Sequence, residues 1–167
     1  ETGIALPEFE GILDTIVQPE EINRFKPSRA TDDTPLIVTI NSFSYLRRGY
    51  PKDVTDNGGG FVFDCRGLLN PGRYEEFKNI TGRDKQVIDF LEQQTKRPEF
   101  LNSVYNLVDI TVDDYIKRSF SSLTINFGCT GGQHRSVYAA DALTWHLRNK
   151  FNVKIGLHHL EQDSHEQ

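Results

Sequence analysis

Residues Gly128 to Ser136 read Gly-Cys-Thr-Gly-Gly-Gln-His-Arg-Ser, and nearly every one has a use toward an anion. Glycines at 131 and 132 let the backbone turn and present consecutive N–H groups. A helix opening near Ser136 adds its own free N–H groups and the positive end of its dipole. Arg135 offers a planar fork to a phosphate. Thr130 and Ser136 bring hydroxyl donors, and His134 a ring that donates or changes charge near neutrality. The expected ligand-binding set here is Thr130, Gly131, Gly132, His134, Arg135 and Ser136. The plainer alternative is a glycine turn whose polar residues do no more than cap a helix. A second chemical reading starts from Cys129. With five intervening residues, Arg135 and Ser136, it reproduces the Cys-x5-Arg-Ser spacing of cysteine-dependent phosphatases. In that reading Cys129 is the nucleophile, activated by the helix end, Arg135 clamps the phosphoryl group and Asp64 is the general acid. Gly128 stands where those enzymes usually carry a His. Otherwise Cys129 is a small buried residue that ends a strand.

A second polar segment is Asp64-Cys65-Arg66, followed by Asn70-Pro71. An Asp and an Arg two apart at a strand end share a face. Either they pair to brace the loop, or they grip a polar ligand together. Asp64 then accepts from sugar hydroxyls or an amine, and Arg66 reaches a phosphate. Arg47-Arg48 lie in a loop, as solvated charges or over the pocket.

These residues need elements to place them. Leu36-Ile37-Val38-Thr39-Ile40 is a continuous apolar, β-branched run and predicts a buried strand. Asn41 to Gly60 keeps no hydrophobic period and reads as loop. Phe61-Val62-Phe63 is a second strand, ending at Asp64. Asn70-Pro71-Gly72 is a turn, Tyr74 to Lys78 a short helical piece, and Thr81 to Asp84 an interruption. Val87, Ile88, Phe90 and Leu91 mark one helix. Phe100, Leu101, Val104, Leu107, Val108, Val112, Tyr115 and Ile116 mark a longer one after Pro98. Leu123, Ile125 and Phe127 alternate as a strand that enters the glycine loop. Val137 to Lys150 follows as a helix with basic residues in its last turn. Val153, Ile155 and Leu157 alternate as a last strand, before a polar tail from His158. Strands separated by helices predict an α/β layered domain, its largely parallel β-sheet flanked by helices and its phosphate-binding loop at a strand-to-helix junction. Ligands bind such sheets at the carboxyl ends of the strands, where both polar segments fall.

Composition narrows the function. With Asp+Glu at 24 against Lys+Arg at 19, the net charge of −5 argues against general nucleic-acid affinity. No apolar run approaches the ~20 residues of a membrane span, so no membrane partner is expected. Two cysteines, Cys65 and Cys129, make no disulfide framework, and a cytoplasmic setting is expected. The Asn79-Ile80-Thr81 acceptor pattern then carries no meaning. There is no Gly-x4-Gly-Lys-[Ser/Thr] loop of an ATPase. His158, His159 and His165 lack metal-ligand spacing and read as part of a solvated tail. No cofactor or metal is called for. Residues 1–34 read as a linker or the tail of a preceding domain, with Phe9, Ile12, Leu13, Ile16 and Val17 at helical spacing. A start at Glu1 and a chain without Met fit a piece of a longer protein.

Four blocks of this chain resemble the C-terminal domain of the RapZ family, the RNase adapter proteins. They are Ser42-Phe43-Ser44-Tyr45 with Gly49-Tyr50-Pro51, then Gly60 to Arg66 with Asn70-Pro71, then Thr81 to Lys85, and Gly128 to Tyr138. The resemblance runs from about Leu36 to Gln167. It implies an α/β domain at 35–167 that senses an amino-sugar phosphate, glucosamine-6-phosphate in characterised members. The binding positions it implies are Asp64, Thr130, Gly131, His134 and Arg135. It also implies small-RNA binding, assembly into homo-oligomers and a kinase-like N-terminal domain. Any catalysis is then expected in that fused domain. Enterobacterial members carry a His after the Asn-Pro pair, where this chain has Gly72. They end in a basic run, where this chain has a polar, acidic tail, so RNA binding is expected to be weak. Residues before Thr34 do not resemble the family's usual kinase-like domain and suit the end of a different one.

Overall fold

The computed structural model describes residues 26–55, 57 and 59–163, so the helical spacing noted at Phe9 to Val17 lies outside the described residues. Four strands form one all-parallel sheet: β1 (Ile37–Ser44), β2 (Gly60–Asp64), β3 (Ser122–Cys129) and β4 (Lys154–His159), in the spatial order β2-β3-β1-β4. The helices are α1 (Lys85–Gln94), α2 (Arg97–Lys117), α3 (Arg135–Phe151) and the short α4 (Leu160–Asp163). The domain is the layered α/β architecture that the alternation of patterns predicts.

Position in the sheet explains each strand's text. β1 and β3 are central, so Val38, Ile40, Leu123, Ile125 and Phe127 are fully enclosed. In β1 this cover on both faces reads as the continuous apolar run Leu36 to Ile40, whereas β3 alternates its apolar residues with the enclosed polar Thr124 and Asn126. β2 is an edge, and its burial alternates, with Gly60, Val62 and Asp64 outward. β1 runs on to Ser44 where the sequence reading places a loop from Asn41. The extension is polar but enclosed. The Asn41 amide donates to Asn126 Oδ1 at 2.9 Å, and Ser44 Oγ donates to the Thr130 carbonyl at 2.6 Å. Paired polar groups inside a sheet look like loop to a hydrophobicity count.

α3 lies on β3, β1 and β4. Its small Ala139, Ala140 and Ala142 are buried with Leu143 and Leu147, and small side chains allow a close approach to the sheet. α2 buries Leu101, Val104, Tyr105, Val108 and Val112 against α3. Each such side chain contributes about 1.5–3 kcal/mol by leaving water. Leu107, counted in the same sequence periodicity, is instead exposed, with Ile110 beside it. Tyr74 to Lys78 contains only a 3-10 turn, Glu75–Phe77.

The described part of the expected linker is docked. Ala30 N–H donates to the Phe151 carbonyl at 2.7 Å, and Arg29 Nη1 donates to the carbonyls of Asn149 and Lys150. Those carbonyls end α3 and lack helical partners. Asn152 then turns the chain in the left-handed region at φ 56°. Among the described residues, no helix is long and apolar enough to cross a membrane.

Candidate anion-binding site

Sheet register sets the site. Ser44 pairs with Cys129, and Asp64 with Gly128. Three strands therefore end side by side, with the glycine loop rising from the middle one into α3. Gly128 is required at its place. A Cβ there would meet the rings of Phe43 and Tyr45, 2.5 Å from Phe43 Cζ. The His of cysteine-dependent phosphatases cannot occupy this position without moving both rings. Gly132 has φ +66°, and a Cβ on it would stand 2.9 Å from Ser44 N.

The loop is buttressed by residues 77–82. Gln133 Nε2 donates to the carbonyls of Lys78 (3.1 Å) and Ile80 (2.9 Å), and its own carbonyl accepts from Gly82 N–H at 2.9 Å. His134, 8 % exposed, lies 2.8 Å through Nε2 from the Phe77 carbonyl, which fixes that nitrogen as the protonated one. No backbone carbonyl among the described residues accepts from the N–H groups of Gly131, Gly132, Gln133 or His134. The loop is held through the Gln133 and His134 side chains and the Gln133 carbonyl.

Arg135 is the first residue of α3 and is 4 % exposed. Its Nη1 donates to the carbonyls of Arg66 (3.1 Å) and Leu68 (2.8 Å), and Nη2 reaches Thr130 Oγ1 at 3.4 Å. Nε is buried without a hydrogen-bond partner among the described residues. One end of the guanidinium thus fixes its place. The Nε–Nη2 edge is the fork by which arginine meets a phosphate bidentately.

Asp64 and Arg66 do meet. Arg66 Nε and Nη2 fork onto the carboxylate at 2.7–3.1 Å, and Arg66 N–H adds a fourth bond at 2.9 Å. These bonds hold the Asp64 carboxyl below the usual carboxylate range, which makes it a poor proton donor near neutrality. The Arg66 guanidinium also lies 3.9 Å over the Tyr45 ring, a cation–π contact. Burial and, after it, the Asp64 charge push the Tyr45 phenol up to about 12.

Ser136 and Cys129 face each other. Both are buried, with Cys129 Sγ 3.1 Å from Ser136 Oγ. β3 extends through Cys129, and the thiol sits in the core cluster with Phe127 and Cys65. Burial pushes the neighbouring Cys65 thiol well up. Thr130 is exposed at the loop's start. Gly72 lies against the His134 ring, whose Cε1 would be 3.5 Å from a Cβ there.

Several participants were not singled out from the sequence. A cavity of about 200 Å³ is bounded by residues 131–133 together with Arg47, Thr81, Glu161 and Gln162. A polar relay joins Arg83, which is half-exposed, to the buried Asp141, His159 and Ser42. Arg83 Nε and Nη2 donate to Asp141, Asp141 Oδ1 accepts from His159 Nε2 at 2.8 Å, and His159 Nδ1 is 2.7 Å from Ser42 Oγ. His159 is therefore not part of a solvated tail: β4 runs to it and it is 5 % exposed. Carrying the alternation of Val153, Ile155 and Leu157 one step further would have placed it inward. No group of three or more His, Cys, Asp or Glu arranged to hold a metal occurs among the described residues.

Fold and site together define an α/β domain with a glycine loop at the carboxyl ends of an all-parallel sheet. Within that class, the chain belongs to the RapZ C-terminal domain family, whose model matches residues 36–163. It is similar to a nucleotide-binding protein of Solibacter usitatus, 40 % identical over 124 residues, covering 74 % of this chain and 36 % of that protein. A nucleotide-binding protein of Clostridium kluyveri is 34 % identical over 145 residues, covering 86 % of this chain and 47 % of that protein. One of Koribacter versatilis is 37 % identical over 134 residues, covering 80 % and 42 %. The chain spans less than half the length of these curated relatives.

Proposed function

We propose that this chain is a regulatory, ligand-sensing domain whose glycine loop binds the phosphate of a small phosphorylated molecule. The observation that carries the reading is Arg135, a buried guanidinium anchored at Nη1 with Nε unpartnered beside the loop. A buried donor without a partner is costly, and an anion in the loop would satisfy it. The binding set under this reading is Asp64, Arg66, Thr130, Gly131, Gly132, His134 and Arg135. Ser136 contributes by fixing the helix start against Cys129. Within this class, an amino-sugar phosphate such as glucosamine-6-phosphate suits an ionised Asp64 next to the loop, because a carboxylate accepts from ammonium and hydroxyl groups. The names of the curated relatives, nucleotide-binding proteins, favour a phosphorylated ligand as well. The domain would span residues 35–167 of a longer cytoplasmic protein, joined through residues 1–34 to a preceding domain and assembling with further copies.

The buried, Ser136-paired Cys129 and the ionised Asp64 favour binding over phosphoryl transfer. Calorimetry with inorganic phosphate, glucosamine-6-phosphate, glucose-6-phosphate and a nucleoside monophosphate tests the reading. Saturable binding of a phosphorylated probe, weakened in Arg135→Ala, is the expected result. No heat with any of the four would refute it.

A further inference from the structure

α2 turns one face to α3 and presents the other outward. On that outer face Leu107 and Ile110 are 53 % and 59 % exposed, and the partly buried Phe100 stands seven residues before Leu107. Steps of three, four and three through Phe100, Ser103, Leu107 and Ile110 keep all four on one side of the helix. They form a stripe about 15 Å long. Covering such a stripe is favourable wherever a matching apolar segment lies within reach.

The chain enters the domain at this face. Ser28 N–H donates to Asp113 Oδ1 at 2.7 Å, and Asp113 follows Ile110 by three residues, at the border of the stripe. Arg29 and Ala30 are then tied to the last carbonyls of α3, which fixes the point of entry. Upstream of it the sequence carries Phe9, Ile12, Leu13, Ile16 and Val17 at helical spacing. That set would span about 12 Å as a helix, close to the length of the stripe. The residues between Val17 and Ser28 can reach about 35 Å, which is ample to lay it there.

Charge does not oppose the match. Residues 8–21 hold Glu8, Glu10, Asp14, Glu20 and Glu21 and neither Lys nor Arg. The acids bordering the stripe are neutralised within α2, Asp113 by Lys117 and Asp114 by the neighbouring Arg118. An acidic segment therefore meets no uncompensated negative charge there.

We propose that the outer face of α2, centred on Leu107 and Ile110, is the docking surface for this chain's own segment from Phe9 to Val17. Whatever precedes that segment is then seated on α2 instead of hanging from an open linker.

The test is the rate of iodoacetamide labelling in the full chain, with thermal melts confirming folding and peptide mapping assigning the label. Leu107→Cys, Ile110→Cys and Val54→Cys are compared, each alone and combined with Leu13→Asp and Ile16→Asp. Val54 is 95 % exposed and serves as the open reference. The thiols introduced at 107 and 110 should label about tenfold more slowly than the one at 54, because the segment must open first. With Leu13→Asp and Ile16→Asp present they should approach the reference rate, while the rate at 54 stays the same. Labelling at 107 and 110 as fast as at 54 in the chain without the Asp substitutions overturns the proposal. Slow labelling that the Asp substitutions do not relieve also overturns it. Slowing that grows with protein concentration assigns the face to a second copy and overturns it too. Should one of the two α2 variants fail to fold, the other decides alone.

Discussion

Arg135 Nη1 donates to the Leu68 carbonyl at 2.8 Å, across a sequence separation of 67 residues. One guanidinium thereby ties the start of α3 to the turn that follows β2, and through Nη2 it also reaches Thr130 Oγ1 at the start of the glycine loop, at 3.4 Å. Positioning and binding reside in one side chain.

Removing that side chain should therefore cost twice. Arg135→Ala leaves the Arg66 and Leu68 carbonyls without a donor, a loss of about 1–3 kcal/mol in unfolding free energy. Phosphate affinity should drop by about 1.5–3 kcal/mol, the worth of a hydrogen bond to a charged group. Arg135→Lys should recover part of the affinity, through charge, and little of the stability, because an ammonium has no planar fork. Denaturant titration and calorimetry on the two variants separate the terms. Equal recovery of both by Lys would contradict this division.

Gly82 and Gly131 make a steric pair of opposite sign. A Cβ at Gly82 would collide with the His134 carbonyl and stand 2.8 Å from Tyr138 N, whereas one at Gly131 would meet nothing within 4 Å. Gly82→Ala must push residues 77–82 off the loop they brace, costing about 1–3 kcal/mol or more. Gly131→Ala should change stability by no more than about 0.5 kcal/mol. Thermal melts of the two variants check the contrast, and similar losses would refute it.

Much of this was legible in the sequence. The enclosed strand β1 announces itself as an apolar run, β3 as the alternation of Leu123, Ile125 and Phe127, and the glycine loop as a cluster of anion-seeking residue types. What escaped is polar and enclosed. Asn41, Ser42 and Ser44 extend β1 with side chains whose hydrogen-bond partners lie more than 80 residues away in sequence. His159 looks like tail because its partners, Asp141 and Ser42, come from α3 and β1. Ser136 lies with its Oγ 3.1 Å from Cys129 Sγ, a contact across seven residues that its type does not announce. At a helix start, residue type alone does not say which way a hydroxyl points. Pairings that form only when distant segments meet leave no local pattern to read.

Tyr45 should titrate late. Burial first, and the Asp64 charge next, push its phenol up to about 12, against about 10 in an unfolded chain. The folded state then holds a proton that the unfolded state gives up. Its stabilising contribution is complete below about pH 10 and is lost as pH rises through about 12. Spectrophotometric titration of the wild type minus Tyr45→Phe isolates this phenol. In Asp64→Asn its midpoint should move down, since a negative neighbour is removed. An ordinary midpoint in the wild type would contradict the burial of Tyr45 beside Asp64.

RNA binding should be weak in this chain. With a net charge of −5 and an acidic stretch at Glu161-Gln162-Asp163, few phosphates can be neutralised, and counterion release contributes little. A structured small RNA should show low affinity that disappears at modest salt. Gel shifts at physiological salt are the check, and tight, sequence-selective binding there would overturn the expectation.

Cys129 separates a sensor from a phosphatase. A nucleophilic thiol must reach the ligand and stay open to reagents. Cys129 is 2 % exposed, continues the buried face of Leu123, Ile125 and Phe127, and has Ser136 Oγ 3.1 Å from its sulfur. Native protein should therefore label slowly with iodoacetamide, at both Cys129 and the enclosed Cys65, and quickly once denatured. Cys129→Ser replaces sulfur with a smaller oxygen that can still meet Ser136, so phosphate affinity should stay within a few-fold of wild type. The wild type should not release phosphate from aryl phosphates, because Asp64, ionised by the Arg66 fork, has no proton to give the leaving group near neutrality. Peptide mapping of labelled protein assigns the reactive thiol, and a phosphate-release assay runs beside it. Rapid native labelling at Cys129, together with turnover abolished in Cys129→Ser, would make this domain an enzyme.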